Sequence, residues 1–492
     1  MLLCGIDVGT STIKLSVVDA STKSVLYTCS YPETENEIIS VSPGFAEQNP
    51  EHWWHCVKQV IKIANASKIY NPLEISAIGI SYQMHGLVIL DKDKQVLRPS
   101  IIWCDSRATN IGELAFDRLG KDNTLNNLLN SPGNFTASKL AWVKENEPHI
   151  YDQIKHVLLP GDYISFQLTN ELTTTISALS EGIFWDFNKN EISKDLLDYF
   201  KFDVSFFPKI KDVFENHGQI SDHVAVELGL SNKVQVTYKA GDQPNNALSL
   251  GVVEPGDIAT TAGTSGVIYG VSSELKYDPN CRVNSFAHVN YSKELRRIGV
   301  LMCINGTGIL NRWVKDNFFP SHSYSDLNNF ANHSEIGSKG LLCFPYGNGA
   351  ERIFNNKIIG ASFRNLDFNR HQKFEISRSV QEGIAFSMVY GLELLSVVGI
   401  IPKKIKAGFA NMYLSPIFSS TIVNASNVPI QLLESDGAYG AALGAGIGSK
   451  YYTNVQEGLN SIKVLSDILP DINKNKTIDS YENWKLELSN MM

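Results

Sequence analysis

The chain has 492 residues, 43% of them hydrophobic and 19% charged; this is apolar material for about three domains of ~150 residues, or two large ones, and too little charge for a disordered chain. A formal net charge of −8 without a dense basic tract removes most of the case for a nucleic-acid or membrane-surface role. Seven cysteines, at positions 4, 29, 56, 104, 281, 303 and 343, include no CxxC pair, no apolar run reaches the ~18 residues of a membrane span, and no charged leader precedes Cys4. The expectation is a cytoplasmic, unprocessed protein with buried thiols.

In chain order, an apolar strand from Leu2 breaks at Gly9-Thr10-Ser11-Thr12 and is followed at once by a second strand, Ile13 to Asp19, which predicts a β-hairpin with a Gly/Thr/Ser turn. Asn49-Pro50-Glu51 predicts a helix start, with Asn49 as cap and the helix reaching roughly Ile63. Ile75 to Ser81 reads as a strand ending in Tyr82-Gln83-Met84-His85-Gly86, and Leu87 to Leu90 begins another, so that strands and helices alternate as in an α/β protein. Residues 186 to 235 are weakly periodic and resist division. Gly241-Asp242-Gln243-Pro244 is a turn-rich run before a small-residue helix. The opening theme then returns as Ile258 to Ala262, Gly263-Thr264-Ser265-Gly266 and Val267 to Val271, a repeat whose long period predicts duplicated domains rather than a solenoid. Ile405 to Asn411 is a short strand entering a loop, Ser415 and Pro416 cap and start a helix, and a strand lies near 430 to 433. The glycine-rich run from Asp436 to Gly446 suits a place where another backbone or a flat ligand approaches closely. The expected domains are 1–244, 245–450 and a helical segment over 451–492.

Glycine and hydroxyl residues in a strand-to-strand bend can aim N–H and O–H groups at phosphate oxygens. They are also ordinary hairpin residues, but two copies in equivalent places favour phosphate binding. Asp7, beside the first bend, suits a magnesium ion with its waters. Lys14, within the second strand, reads as solvated. No G-x-x-x-x-G-K-[ST] loop follows a strand, and no G-x-G-x-x-G opens a helix after the first strand. Asp242 is either a helix N-cap or a base that takes a proton from an alcohol attacking a γ-phosphate. Gln83, Met84 and His85 stand at a strand's C-terminal end, a place that suits a polyol, although a buried histidine bound to a carbonyl is the commoner case. In Trp103-Cys104-Asp105-Ser106-Arg107, Asp105 can accept sugar hydroxyls under Trp103, or form a surface pair with Arg107.

GIDVGTSTIK, QMHG before an apolar strand, IIWCDSR, AGDQPNNA, TTAGTSG, GFANMYLSP and GAYGAALGAG resemble, in that order and over roughly residues 2 to 447, the landmarks of the FGGY carbohydrate kinases. QMHG and the phrase from Gly44 to Trp54 look like the xylulokinase group. The resemblance implies an α/β fold of two actin-like (ribonuclease H-like) ATPase domains flanking a deep cleft, the first on the sugar side and the second on the nucleotide side. It implies Asp242 as catalytic base and Asp7 as the acid that positions hydrated Mg2+. Gly9, Thr10, Ser11 and Thr12, with Gly263, Thr264 and Ser265, fall in the phosphate loops. Gln83, Met84, His85, Trp103 and Asp105 fall on the sugar, and Gly408, Asn411 and Gly437 in the adenosine segment. Phe409, in the same segment, replaces a glycine that many relatives carry there and is placed to press on the purine. Pro244, where many xylulokinases have alanine, stiffens the turn after the base and bears on sugar choice. The activity implied is ATP-dependent phosphorylation of a terminal hydroxyl of an open-chain ketose, D-xylulose at O5, with a homodimer as the family's usual assembly. Ribulose, glycerol, gluconate or sedoheptulose kinases are the alternatives within the family, and an actin- or chaperone-like ATPase is the alternative outside it.

Overall fold

A computed structural model describes every residue of the chain except Ser435. The chain forms two compact units, neither of them one continuous stretch: the first comprises 1–253, 286–298 and 435–462, and the second 254–285, 299–434 and 463–492. A division cut once after residue 244 therefore differs from the way the chain packs.

The first unit is built on a six-stranded sheet. Its strands are β1 (Leu2–Val8), β2 (Ile13–Asp19), β3 (Val25–Tyr31), β4 (Ile75–Tyr82), β5 (Gly218–Gln219) and β6 (Gln235–Gly241), in the order β5-β6-β4-β1-β2-β3. β1, β2 and β3 form an antiparallel meander, as the hairpin residues predict, and β4 and β6 lie parallel to β1. Helix α1 (Pro50–Ala66) begins where expected: the Asn49 side chain accepts the Glu51 N–H and Pro50 occupies the first turn. Its buried face, which includes Trp53, Val57, Val60 and Ile61, joins the same core as Ile6, Leu15 and Ile78 of the strands. Two short helices matter for the site: α2 (Ile176–Glu181) and α3 (Asp242–Ser249).

The second unit repeats the plan with seven strands. β7 (Asp257–Ala262) and β8 (Gly266–Ser272) are an antiparallel hairpin, and β9 (Asn284–Ala287) and β10 (Ile298–Ile304) extend it. β11 (Lys404–Gly408) and β12 (Ile430–Glu434) lie parallel to β7, and β13 (Lys463–Ile468) runs antiparallel to β12. The order is β9-β10-β8-β7-β11-β12-β13. Taking β1, β2, β3, β4 and β6 in the first sheet and β7, β8, β10, β11 and β12 in the second, each core reads 5-4-1-2-3, which is the duplication expected from the two Gly-Thr-Ser turns. Helices α4 (Gly308–Phe318), α5 (Lys373–Leu394) and α6 (Pro416–Ser426) follow their strands, and Ser415 caps α6 as predicted.

The glycine-rich run is helix α7 (Gly437–Gly448), and it belongs to the first unit. A β-carbon on Gly5 would lie 1.9 Å from the Ala438 carbonyl oxygen, and one on Gly79 would lie 1.9 Å from that of Ala441. The absent side chains admit backbone, one of the two occupants expected. The tail is not simply helical: β13 pairs with β12 before α8 (Lys474–Met491) begins. β13 is almost wholly exposed, so it lacks the apolar alternation by which a strand is recognised. Among the described residues no helix is long and apolar enough to cross a membrane.

Candidate active site

Register explains why distant residues of the first unit meet. Val8, Tyr82 and Gly241 occupy one row across β1, β4 and β6, so the next residues, Gly9, Gln83 and Asp242, leave the sheet side by side at its C-terminal edge. This is the edge at which open α/β sheets bind ligands. Asp7 lies one row inside, opposite Ser81, whose hydroxyl donates to its Oδ1 at 2.8 Å. Its other oxygen fits under α7 only because residue 437 is glycine: a β-carbon there would stand 2.4 Å from Oδ2. Gly437 thus stands against Asp7 in the first unit. Burial, with a smaller push from the nearby Asp436 charge, raises the Asp7 pKa above the usual carboxylate range, while the Ser81 bond and Lys14 oppose the shift. Lys14 is exposed on β2 directly opposite Asp7, in keeping with the solvated reading.

Asp242 is the first residue of α3. The cap position belongs to Gly241, and no side-chain capping bond is made there, so the capping reading of Asp242 is set aside. Burial, followed by the charge of Asp7, pushes its carboxyl up to about 7, against hydrogen bonds from Gln243 that favour ionisation. A carboxylate poised near neutrality suits a general base.

A directional hydrogen-bond chain joins the first turn to the end of β4. Indole N–H groups can only donate, so the Trp53 N–H fixes Gln48 Oε1 as an acceptor (3.0 Å), which receives the Gln83 amide as well (3.0 Å). Gln83 Oε1 then accepts from Thr10 Oγ1 at 3.2 Å, and Thr10 Oγ1 accepts from the half-exposed Trp103 indole at 2.9 Å. The Thr10 hydroxyl hydrogen is therefore engaged with Gln83. Gln48 also donates to the Thr10 carbonyl at 2.9 Å, a role no motif announced.

Asp105 pairs with Arg107, as one of its two readings had it, but inside the protein rather than at its surface. It is fully buried, its Oδ2 accepts from the Ala46 N–H at 2.6 Å and from Arg107 at 2.7 and 2.9 Å, and its Oδ1 accepts the Arg107 N–H at 2.9 Å. With both oxygens turned to its own chain and none of its surface exposed, it braces the Ala46 and Arg107 segments from inside the protein. His85 has a left-handed backbone (φ 62°), and its Nδ1 meets the Glu181 carbonyl at 3.0 Å. A carbonyl can only accept, so Nδ1 carries the proton. Met84 is buried against Gly241.

In the second unit, Thr260, Ala407 and Leu432 share a row, so the Gly263-Thr264-Ser265 turn and the loop after Gly408 leave the sheet at the same edge. Asn411 reaches that turn: a β-carbon on Gly263 would lie 3.6 Å from its Nδ2. Phe409 is half exposed. The sequence reading missed the loop that braces this turn. Gly308 donates to the Gly263 carbonyl at 2.9 Å and Ile309 to that of Thr264 at 3.1 Å, while buried Glu351 accepts the N–H groups of Asn305 (2.9 Å) and Gly306 (2.8 Å). Among the described residues no cluster of three His, Cys, Asp or Glu side chains could hold a metal.

Residues 2–249 match the profile of the FGGY family of carbohydrate kinases, N-terminal domain. A xylulose kinase of Bacillus subtilis is 30% identical over 92% of this chain and 89% of its own length. The chain belongs to the FGGY family of carbohydrate kinases. It is an ATP-dependent sugar kinase with a mixed α/β, actin-like fold. Two solved structures from Lactobacillus acidophilus carry the same fold: a ligand-bound xylulose kinase (TM-score 0.89, 23% identity, 99% of this chain and 98% of that one) and a gluconate kinase (TM-score 0.89, 23% identity, 99% and 97%). The fold of this kinase is thus shared by enzymes named for two different sugars, and the sugar must be argued from the site.

Proposed function

We propose that this kinase transfers the γ-phosphoryl group of ATP to the terminal hydroxyl of an open-chain ketose, D-xylulose at O5. The observation that carries the reading is Asp242, held at the sheet edge beside Gln83 with its pKa near 7. Asp242 takes the O5 proton as O5 bonds to the γ-phosphorus, and the bond from that phosphorus to the β–γ bridging oxygen breaks to release ADP. Positioning and neutralisation of charge carry most of the acceleration in such a loose transition state. Asp7, a carboxylate crowded by Asp436 and with one oxygen already oriented by Ser81, fits a hydrated magnesium ion. Magnesium supplies neutralisation of phosphate charge when bound. The Gly263-Thr264-Ser265 turn offers N–H groups and hydroxyls for phosphate oxygens, and Met84 with His85 borders the sugar.

The choice of ketose rests on the QMHG strand end and on relatives named xylulose kinase. ADP release measured with D-xylulose, D-ribulose, L-xylulose, gluconate and glycerol tests it. D-xylulose is expected to give the highest kcat/KM, and a preference for glycerol or gluconate over every ketose would overturn the assignment.

The pH dependence follows from Asp242. A base must be ionised to accept a proton, so kcat/KM for the sugar should fall about tenfold per pH unit below a midpoint near 7 and level off above it. Asp7 is one of the groups that raise that midpoint. Asp242→Asn should abolish that limb, because an amide has no proton to lose in this range. A midpoint that stays in place in the variant removes the assignment of the limb to Asp242.

A further inference from the structure

One buried acid lies outside the mechanism above. Glu181 ends α2, is fully buried, and touches both strand ends of the first unit's site. Its Oε1 accepts the His85 N–H at 3.3 Å, and its main-chain carbonyl accepts His85 Nδ1–H at 3.0 Å. Its Oε2 lies over Gly241, the residue before Asp242: a β-carbon there would be 2.7 Å from that oxygen and 2.5 Å from Met84 Cγ. The next peptide, on the other side of His85, is held by the buried Lys139, which donates to the carbonyls of His85 (3.0 Å) and Ile102 (2.9 Å). Phe135 and Phe286 pack on the ring, with centroids 4.8 and 5.3 Å away. A left-handed histidine persists only where its surroundings over-determine it.

We infer that Glu181 is a positioning residue for the sugar: through its side chain it holds the His85 backbone left-handed and keeps the Met84-His85 segment in register with Gly241 and Asp242. It works as a hydrogen-bond acceptor rather than as a charge. Among the described residues it forms no ion pair, and burial first, then the charges of Asp242 and Asp162, push its carboxyl well above the usual carboxylate range. An uncharged amide of the same shape should replace it.

The effect on sugar kinetics rests on the kinase reading above, so one arm of the test is independent of it. Hydrogen exchange across residues 83–87 should be at least tenfold faster in Glu181→Met than in the wild type and unchanged in Glu181→Gln. In turnover assays Glu181→Met should raise the sugar KM tenfold or more with the ATP KM unchanged, while Glu181→Gln stays within threefold. If Glu181→Met does not fold, Glu181→Asp, one methylene shorter, withdraws the acceptor and should raise the sugar KM in the same way. An unchanged sugar KM in whichever of these two variants folds, or unchanged exchange at 83–87, overturns the inference. A wild-type enzyme that phosphorylates none of the sugars sinks the kinase reading instead, and the exchange arm still decides whether Glu181 holds His85.

Discussion

Asp242→Asn is expected to lower kcat by about 10² to 10⁴ while leaving the fold intact, the usual range for loss of a positioned general base. The variant keeps the shape and the hydrogen-bonding reach of the side chain at the first position of α3, but an amide has no lone pair basic enough to take the sugar proton. The same substitution should not cost stability, and the sign can be worked out. A carboxyl whose folded pKa is about 7, against an ordinary value of 3.8, makes a contribution to stability that is fully present below about pH 4 and is lost as pH rises through 7. Asparagine has no such titration. Relative to the wild type, the variant should therefore gain stability progressively from pH 4 to 7 and hold that gain above it. Thermal unfolding at pH 5 and pH 8, beside steady-state kinetics, separates the two effects. Wild-type turnover in the variant, or a collapse of its stability at pH 8, would remove Asp242 from the chemistry.

Local signals were the ones the sequence made readable. Both hairpins lie where glycine and hydroxyl residues interrupt an apolar run, and α1 starts where Asn49-Pro50 caps it, because these preferences act within a few residues. Asp242 was legible as a residue at a helix start, though its place inside the first turn, with Gly241 as cap, needed coordinates. Contacts set by register or by distant segments were not legible. Gln48 owes its role to Trp53 and Gln83, and Glu181 owes its own to a residue 96 positions earlier. In sequence Asp105 stands beside a tryptophan able to cover a sugar face, yet the Ala46 amide and Arg107 take up its oxygens. Packing sets Gly437 over Asp7, an approach that its neighbours in sequence do not announce.

Gly79→Ala should destabilise the first unit by about 3 kcal/mol, at the upper end of what one extra methyl costs in a packed interior, and should depress turnover with it. Gly79 lies in the middle of β4, and its new β-carbon would stand 1.9 Å from the Ala441 carbonyl oxygen and 2.8 Å from its carbon. Both are backbone atoms of a helix, so no side chain can swing aside; α7 itself must move. That helix begins at Gly437, over Asp7, and Asn245 of α3 donates to the Gly437 carbonyl at 2.8 Å. A shift large enough to admit the methyl therefore reaches the carboxylate proposed for magnesium and the helix that carries Asp242. Gly229→Ala makes the control. That glycine is left-handed (φ 67°) with open space around it, so alanine there should cost about 1 kcal/mol through backbone strain alone and leave turnover unchanged. Urea unfolding of the two variants, read beside sugar-dependent ADP release, decides between these outcomes. If Gly79→Ala proves no costlier than Gly229→Ala, then α7 is not seated on β4 as closely as the glycines require, and the link from the glycine-rich helix to Asp7 fails with it.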